Sequence, residues 1–311
     1  MSKPPRYVGR FAPSPTGPLH FGSLLAALAS YLEAARQGGR WLVRIEDIDP
    51  PREQPGASER ILEALDCYGF KSSGPATWQS ASASAHSAAI ARLLDADLAY
   101  YCDCSRKDLA KADAGPLGAI YPGTCRQRNL EARDSLAIRV RTGNGRIAVP
   151  DRLQGAQNWE LEALSGDFVI RRRDGLVAYQ LAVVVDDHLQ GVTNIVRGID
   201  LLDSTPRQVW LQQLLGYGTP AYAHIPVVVD AQGRKLAKST NAAPLPLDKP
   251  APLLYRALLA LQQGPPPALG RASLATLWEW AREHWNLDRL CGTQAVAAHA
   301  AAMVQRQNRL L

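Results

Sequence analysis

Residues 6–49 read RYVGRFAPSPTGPLHFGSLLAALASYLEAARQGGRWLVRIEDID, and the order of patterns in this stretch decides the fold. RYVGRF (6–11) alternates as a strand does, and APSPTGP is a turn rich in proline and glycine. From His20 the apolar residues Phe21, Leu24, Leu25, Leu28, Leu32 and Ala35 fall on one helical face, with Gly38-Gly39 as the stop. WLVRIEDID (41–49) then reads as a buried strand that runs out into acids. Strand, helix and strand form a βαβ unit, which calls for a parallel sheet with a right-handed crossover. Ligands of such sheets sit off the carboxyl ends of the strands. The APSPTGPLH turn and the EDID segment both lie there, so they are expected to converge on one site.

Working outward, helices are expected near 55–69 and 84–96. At YYCDC (100–104) the pattern changes to short elements, glycines and clustered cysteines, which marks an inserted module running to about residue 165. YQLAVVVDDHLQ (179–190) and the strand TNIVRG (193–198) return to the α/β core. Beyond KLAKS (235–239) a proline-rich passage leads into helical material, where Leu274, Leu277, Trp278, Ala281 and Trp285 have the spacing of a packed face.

The 311 residues, 46% hydrophobic and 21% charged, describe a globular protein with ample core and no disordered or collagenous character. There is no apolar leader, and LAVVV (181–185) is far too short to cross a bilayer. Five cysteines, an odd number, argue against a disulfide scaffold and for a reducing compartment, so a cytoplasmic protein without membrane attachment is expected. A net charge of +6 leans toward a polyanionic partner but equally serves solubility. The one tight basic run, RRR at 171–173, suits a solvated strand edge better than a phosphate track.

Two motifs carry chemistry. The turn before the first helix places backbone N–H groups where an anion is favoured, Gly17 and Gly22 allow close approach, and His20 stands at the mouth as a donor or as a plain helix cap. RKLAKS (234–239) sets Lys235 and Lys238 three residues apart, as phosphate clamps or as an exposed basic loop.

Together, PSPTGPLHFGS and KLAKS resemble the two signatures of the class I aminoacyl-tRNA synthetases, usually written HIGH and KMSKS. RFAPSPTG followed by VRIEDID, and then YQLAVVVDDHLQGVTNIVRG, is similar to the glutamyl branch over most of residues 6–240. The fold so implied is α/β. A Rossmann-type parallel-sheet catalytic domain has its first half at 1–98 and its second at 166–240 with the lysine loop. A zinc-binding insertion lies at 99–165 and a small helical C-terminal region at 241–311.

The resemblance implies that glutamate is held by Arg10, Phe11, Ala12, Pro13, Ser14, Glu46, Tyr179 and Arg197, the arginines as carboxylate forks and Glu46 for the ammonium. It implies ATP at His20, Gly22, Ser23, Lys235 and Lys238, with His20 and Lys238 catalytic and Mg²⁺ arriving with ATP. In the insert, Cys102-x-Cys104 and Cys125 are three soft ligands close in sequence, which favours one structural zinc over a set of small buried hydrophobes. The family pattern C-x-C…Y-x-x-x-C offers Tyr121 as the fourth ligand.

Three departures from the glutamyl enzymes stand out. Ser23 replaces a second His and Ala237 the first Ser of KMSKS, while Val183 stands where an Asn of the amino-acid pocket is usual. Only 72 residues follow Ser239, too few for an anticodon-binding region. Truncation of this kind, with the C-x-C…Y-x-x-x-C insert and HFGS, resembles a short paralogue of the glutamyl enzymes, and the resemblance implies activation of L-glutamate without tRNA and its attachment to the cyclopentenediol of queuosine at the wobble position of tRNA(Asp). The alternative is a short enzyme charging the 3′ end of tRNA. A small-molecule adenylate-forming enzyme and a non-catalytic zinc-stabilised RNA-binding module are disfavoured by the Arg10/Arg197 pair and by the retained His20 and Lys238. The expected partners are ATP, L-glutamate and queuosine-bearing tRNA(Asp), for a chain working as a monomer.

Overall fold

The computed structural model describes residues 7–110, 112–115, 117–143, 145–229 and 243–297. In chain order the first half contains β1 (Val8–Phe11), α1 (Phe21–Arg36), β2 (Arg40–Ile45), α2 (Ala57–Cys67), β3 (Thr77–Trp78) and α3 (Ala83–Asp95). The middle contains β4 (Ala99–Cys102), α4 (Arg106–Leu109), β5 (Ala114–Gly115), β6 (Gly118–Ala119), β7 (Ala137–Val140), β8 (Arg146–Asp151), β9 (Gly155–Glu160), α5 (Leu161–Ser165) and β10 (Phe168–Arg171). There follow α6 (Tyr179–Leu189), β11 (Asn194–Gly198), α7 (Thr205–Leu215), β12 (Ala221–Ile225), β13 (Val227–Val229), α8 (Pro250–Ala260), α9 (Leu274–His284) and β14 (Ala295–Ala297).

The βαβ unit read from the opening stretch is present: β1 and β2 pair in parallel, Arg10 opposite Leu42, with α1 as the crossover. Gly38, at φ 57°, supplies the left-handed residue that ends α1. β3 continues the sheet on the far side of β2. On the near side, Thr193 N–H donates to Val8 O and Val8 N–H to Thr193 Oγ1, stitching β1 to the start of β11. β11 runs parallel to β12, so the carboxyl ends of β1, β2, β11 and β12 open toward one region.

Strand pairing crosses the boundary expected at 165/166 in both directions. β10 pairs with β7, which in turn pairs with β4, while β8 reaches back to β12. The RRR run is explained by this crossing. Arg171 and Arg173 donate to backbone carbonyls of Arg133, Leu136, Ser135 and Asp103, and Arg172 reaches Asp49 at 3.2 Å. These side chains strap the insert to the core.

The helical C-terminal residues share the first core. Leu254, Leu258, Leu277, Trp278 and Trp285 pack with Leu24, Leu28 and Leu32 of α1, and Trp285 Nε1 donates to the buried Glu33. The rings of Tyr31, Trp41, Phe70 and Trp278 meet at centroid distances of 5.1–5.6 Å. A second core gathers α3, α6 and α7 around β7, β8 and β10, with Ile138, Ile170, Leu181 and Leu211 fully buried. Among the described residues no helix is long and apolar enough to cross a membrane.

Candidate active site

A cleft of about 400 Å³ opens at the carboxyl ends of the parallel strands. It is lined by Arg10, Phe11, Ala12, Pro13, Ser14, Glu46, Tyr179 and Arg197, and on one flank by His20, Gly22 and Ser23. Every described residue named for glutamate or ATP is thus brought to one cavity. Lys235, Ala237 and Lys238 lie outside the described residues.

The turn that leads into the cleft needs Gly17, which sits at φ 139° where a side chain is strained. Glu46 N–H donates to Pro13 O at 2.9 Å, tying the end of β2 to this turn. His20 is the N-cap of α1: its Nδ1 accepts from Ser23 N–H at 3.2 Å, and Ser23 Oγ returns the contact to His20 N–H. The capping residue and the cleft-lining histidine are therefore one side chain. With Nδ1 used as acceptor, the neutral ring carries its proton on Nε2 and can donate. Ser23 also acquires a reason, since its hydroxyl closes the capping box.

Beneath the cleft lies a buried ionic network that sequence reasoning missed. Asp187 takes Arg10 through Nε at 3.2 Å and Nη2 at 3.4 Å, and lies 2.8 Å from Arg44 Nη1. Arg44, 1% exposed, also donates to Glu46 Oε1 at 3.3 Å. Asp186 completes the group with His86 at 2.9 Å and Gln79 at 2.7 Å. Arg10, expected as a carboxylate fork, stands at the cleft with part of its guanidinium already in use. Its bidentate Nε/Nη2 edge is engaged by Asp187, leaving Nη1 as the nitrogen these contacts do not use. Signals for the network were present: Arg44 and Glu46 alternate onto one strand face, and two adjacent acids interrupt the apolar run of α6. Nothing in the sequence paired them.

Burial pushes the Glu46 carboxyl up, against the pull of Arg44 and Arg10. Burial also pushes on Asp187, but there Arg10 and Arg44 prevail and hold it below the usual carboxylate value. Burial and the nearby Glu46 raise the Tyr179 phenol, keeping it neutral. Val183, by contrast, packs into the second core, 1% exposed, and does not line the cleft. Thr16, Gly198, Asp200, Leu201 and the Ile225–Val228 segment also line it and were not foreseen.

In the insert, the Sγ atoms of Cys102, Cys104 and Cys125 lie within 4.8 Å of one another, with Cys104 and Cys125 at 3.4 Å. Tyr121 Oη is 3.5 Å from Cys102 Sγ and 3.7 Å from Cys104 Sγ, and accepts from Cys125 N–H at 2.8 Å. Ligands at tetrahedral angles about 2.3 Å from a zinc ion stand about 3.8 Å apart. The three thiols fit such an ion in softness and spacing, and the Tyr121 oxygen stands where a fourth, harder donor would complete the set. Burial and its thiol neighbour Cys125 push Cys104 up to about 12, and burial with the three thiols raises Tyr121. Four donors crowded this closely have protons to lose to a soft cation.

The parallel sheet, its capped helix and the cleft between them define a class I aminoacyl-tRNA synthetase catalytic domain. The family described as tRNA synthetases class I (E and Q), catalytic domain, matches residues 7–244, and the chain belongs to it. Within that class it groups with proteins named Glutamyl-Q tRNA(Asp) synthetase. That of Dechloromonas aromatica is 53% identical over 91% of this chain and 95% of its own length. Those of Aromatoleum aromaticum and Pseudomonas aeruginosa PAO1 are 52% and 53% identical, covering 98% and 92% of this chain and 97% of each relative. Among solved structures, a glutamate-tRNA synthetase from Elizabethkingia anophelis superposes with a TM-score of 0.79 at 23% identity, over 98% of this chain and 71% of that one. This last likeness concerns the fold.

Proposed function

We propose that the protein is an ATP-dependent ligase. It activates L-glutamate without tRNA and transfers it to the cyclopentenediol of queuosine at the wobble position of tRNA(Asp), in the cytoplasm. The observation that carries this is the convergence of Glu46, Arg10 and Arg197 in one cleft beside the capped N-terminus of α1. Glutamate has one ammonium and two carboxylates, and the cleft sets the Glu46 carboxylate and the Arg10 and Arg197 guanidiniums around it, with Asp200 as a second carboxylate of the lining. The Glutamyl-Q names of relatives that match nearly end to end favour queuosine over the 3′ end of tRNA as the acceptor.

In the first step an α-carboxylate oxygen of glutamate attacks the α-phosphorus of ATP, the bond to the bridging oxygen breaks, and pyrophosphate leaves. Glu46 holds the ammonium, while Arg10 and Arg197 hold carboxylate, orienting the nucleophile in line. His20 Nε2–H, the N-terminus of α1, Lys235 and Lys238 stabilise charge on the phosphates. Mg²⁺ entering with ATP supplies further neutralisation. In the second step a hydroxyl of queuosine attacks the acyl carbon and AMP leaves. Cys102, Cys104, Cys125 and Tyr121 would hold one structural zinc, which would cross-link the small apolar cluster they form with Tyr100 and Ala137.

The test is transfer of radiolabelled glutamate to tRNA with and without queuosine, followed by nuclease digestion. Label on the modified wobble nucleoside of tRNA(Asp), absent from queuosine-free tRNA, is expected. Label on the 3′-terminal adenosine of tRNA(Glu) would refute the assignment.

A further inference from the structure

Arg197 is gripped on every nitrogen. Nε donates to His224 Nε2 at 3.0 Å, Nη1 to Gln208 Oε1 at 2.8 Å, and Nη2 to Thr205 Oγ1 at 2.9 Å and Leu201 O at 3.3 Å. The Tyr222 ring lies under the guanidinium at 5.3 Å. The other nitrogen of His224, Nδ1, is 2.5 Å from Asp151 Oδ2. Asp151 is itself locked, because its Oδ1 accepts the backbone N–H groups of Leu153, Gln154 and His224. His224 is fully buried, and Asp151 and Arg197 are each 4% exposed.

Donor and acceptor accounting leaves one state of the ring. A guanidinium N–H can only donate, so Nε2 presents its lone pair; an ionised carboxylate can only accept, so Nδ1 carries the proton. An imidazolium would aim Nε2–H at Arg197 Nε–H and break the contact. We propose that His224 and Asp151 are positioning residues for the amino-acid pocket. The neutral imidazole, oriented by Asp151, fixes the Arg197 guanidinium in its carboxylate-binding pose, and protonation of His224 releases it. This rests on the reading above that Arg197 receives a carboxylate of glutamate.

The charged groups facing the ring are Asp151 from β8, Arg197 from β11 and Arg10 from β1; Thr205 of α7 and Tyr222 on its own strand are neutral neighbours. Burial pushes the imidazole below its ordinary 6.5. Asp151 opposes this, Arg197 and Arg10 reinforce it, and the balance is downward. Glutamate binding is therefore intact at neutral pH and weakens as acidification charges the ring.

Two substitutions separate positioning from packing. In His224→Gln the side-chain oxygen reaches where Nε2 stood and still accepts from Arg197. In His224→Asn the amide reaches only the Nδ1 position, keeping Asp151 and losing Arg197. In glutamate-dependent pyrophosphate exchange, His224→Asn is expected to raise KM for glutamate roughly 10- to 100-fold, the loss of one charge-assisted hydrogen bond. KM for ATP stays unchanged, and His224→Gln restores most of the glutamate affinity. The acid-side rise of log KM with falling pH, which Glu46 shares, drops by one proton in His224→Gln. Equal KM values for glutamate in the two variants, or parallel losses for glutamate and ATP, would overturn the proposal. An independent readout is ¹⁵N-histidine NMR of the ligand-free chain. His224 protonated on Nδ1 and bare on Nε2 is expected, and a proton on Nε2 would overturn the clamp. Failure of the wild-type chain to exchange pyrophosphate with glutamate would instead strike the proposed function, with the tautomer still judging His224.

Discussion

Replacing Asp187 by Asn removes one negative charge from the floor of the cleft at almost constant volume. Its carboxylate meets Arg10 at 3.2 and 3.4 Å and Arg44 at 2.8 Å, and these three residues are 4% exposed or less. Removing one partner of a buried ion pair costs about 3–5 kcal/mol. Asn keeps one acceptor oxygen, so the lower end of about 3 kcal/mol applies, corresponding to a fall in Tm of roughly 5 °C for a chain of 311 residues. The same change unseats Arg10, and the loss of one charge-assisted hydrogen bond predicts a KM for glutamate about 10- to 100-fold higher. Because the folded carboxyl is held below its ordinary value, its stabilisation is present above the unfolded pKa and is lost as pH falls through the folded one. The gap in Tm between wild type and Asp187→Asn should therefore close in acid. Differential scanning fluorimetry across pH, with pyrophosphate exchange at neutral pH, measures all three quantities. A Tm within about 1 °C of wild type, with unchanged KM, would refute the role given to the network.

Three further outcomes are expected. Glu46 must be ionised to hold an ammonium, and burial raises its pKa; KM for glutamate should thus climb as pH falls through a value above the ordinary 4.5, and Glu46→Gln should be weak at every pH without that limb. Elemental analysis should find one zinc per chain, and Cys104→Ala or chelation should lower Tm in a single step with zinc release. Trp285→Ala empties a site buried in the first core and removes the Oε2 partner of Glu33, whose Oε1 keeps Arg152 and Gln37, so unfolding in denaturant should show a loss of about 3–5 kcal/mol. A small loss there would mean that the C-terminal helices fold apart from α1.

Local order was legible in the chain because it is written in local physics. The apolar spacing of α1, the Gly38 stop and the strand at 41–45 follow from periodicity and backbone freedom, and the convergence of APSPTGPLH with EDID follows from the handedness of a βαβ unit. The residues of the cleft could be named since their motifs are contiguous and resemble a known family. The cysteines of the insert were visible for the same reason.

What the sequence could not contain is which buried groups face each other across hundreds of residues. Arg10 meets Asp187 across 177 positions, His224 meets Asp151 across 73, and Trp285 meets Glu33 across 252. A charge can be buried only where a partner offsets its desolvation, and that partner is chosen by how the sheet and helices close. The sequence by itself determined the elements, their order and the chemistry carried to the cleft. The tertiary structure alone decided how each of those side chains is aimed, because aim depends on contacts that exist only once distant strands lie side by side.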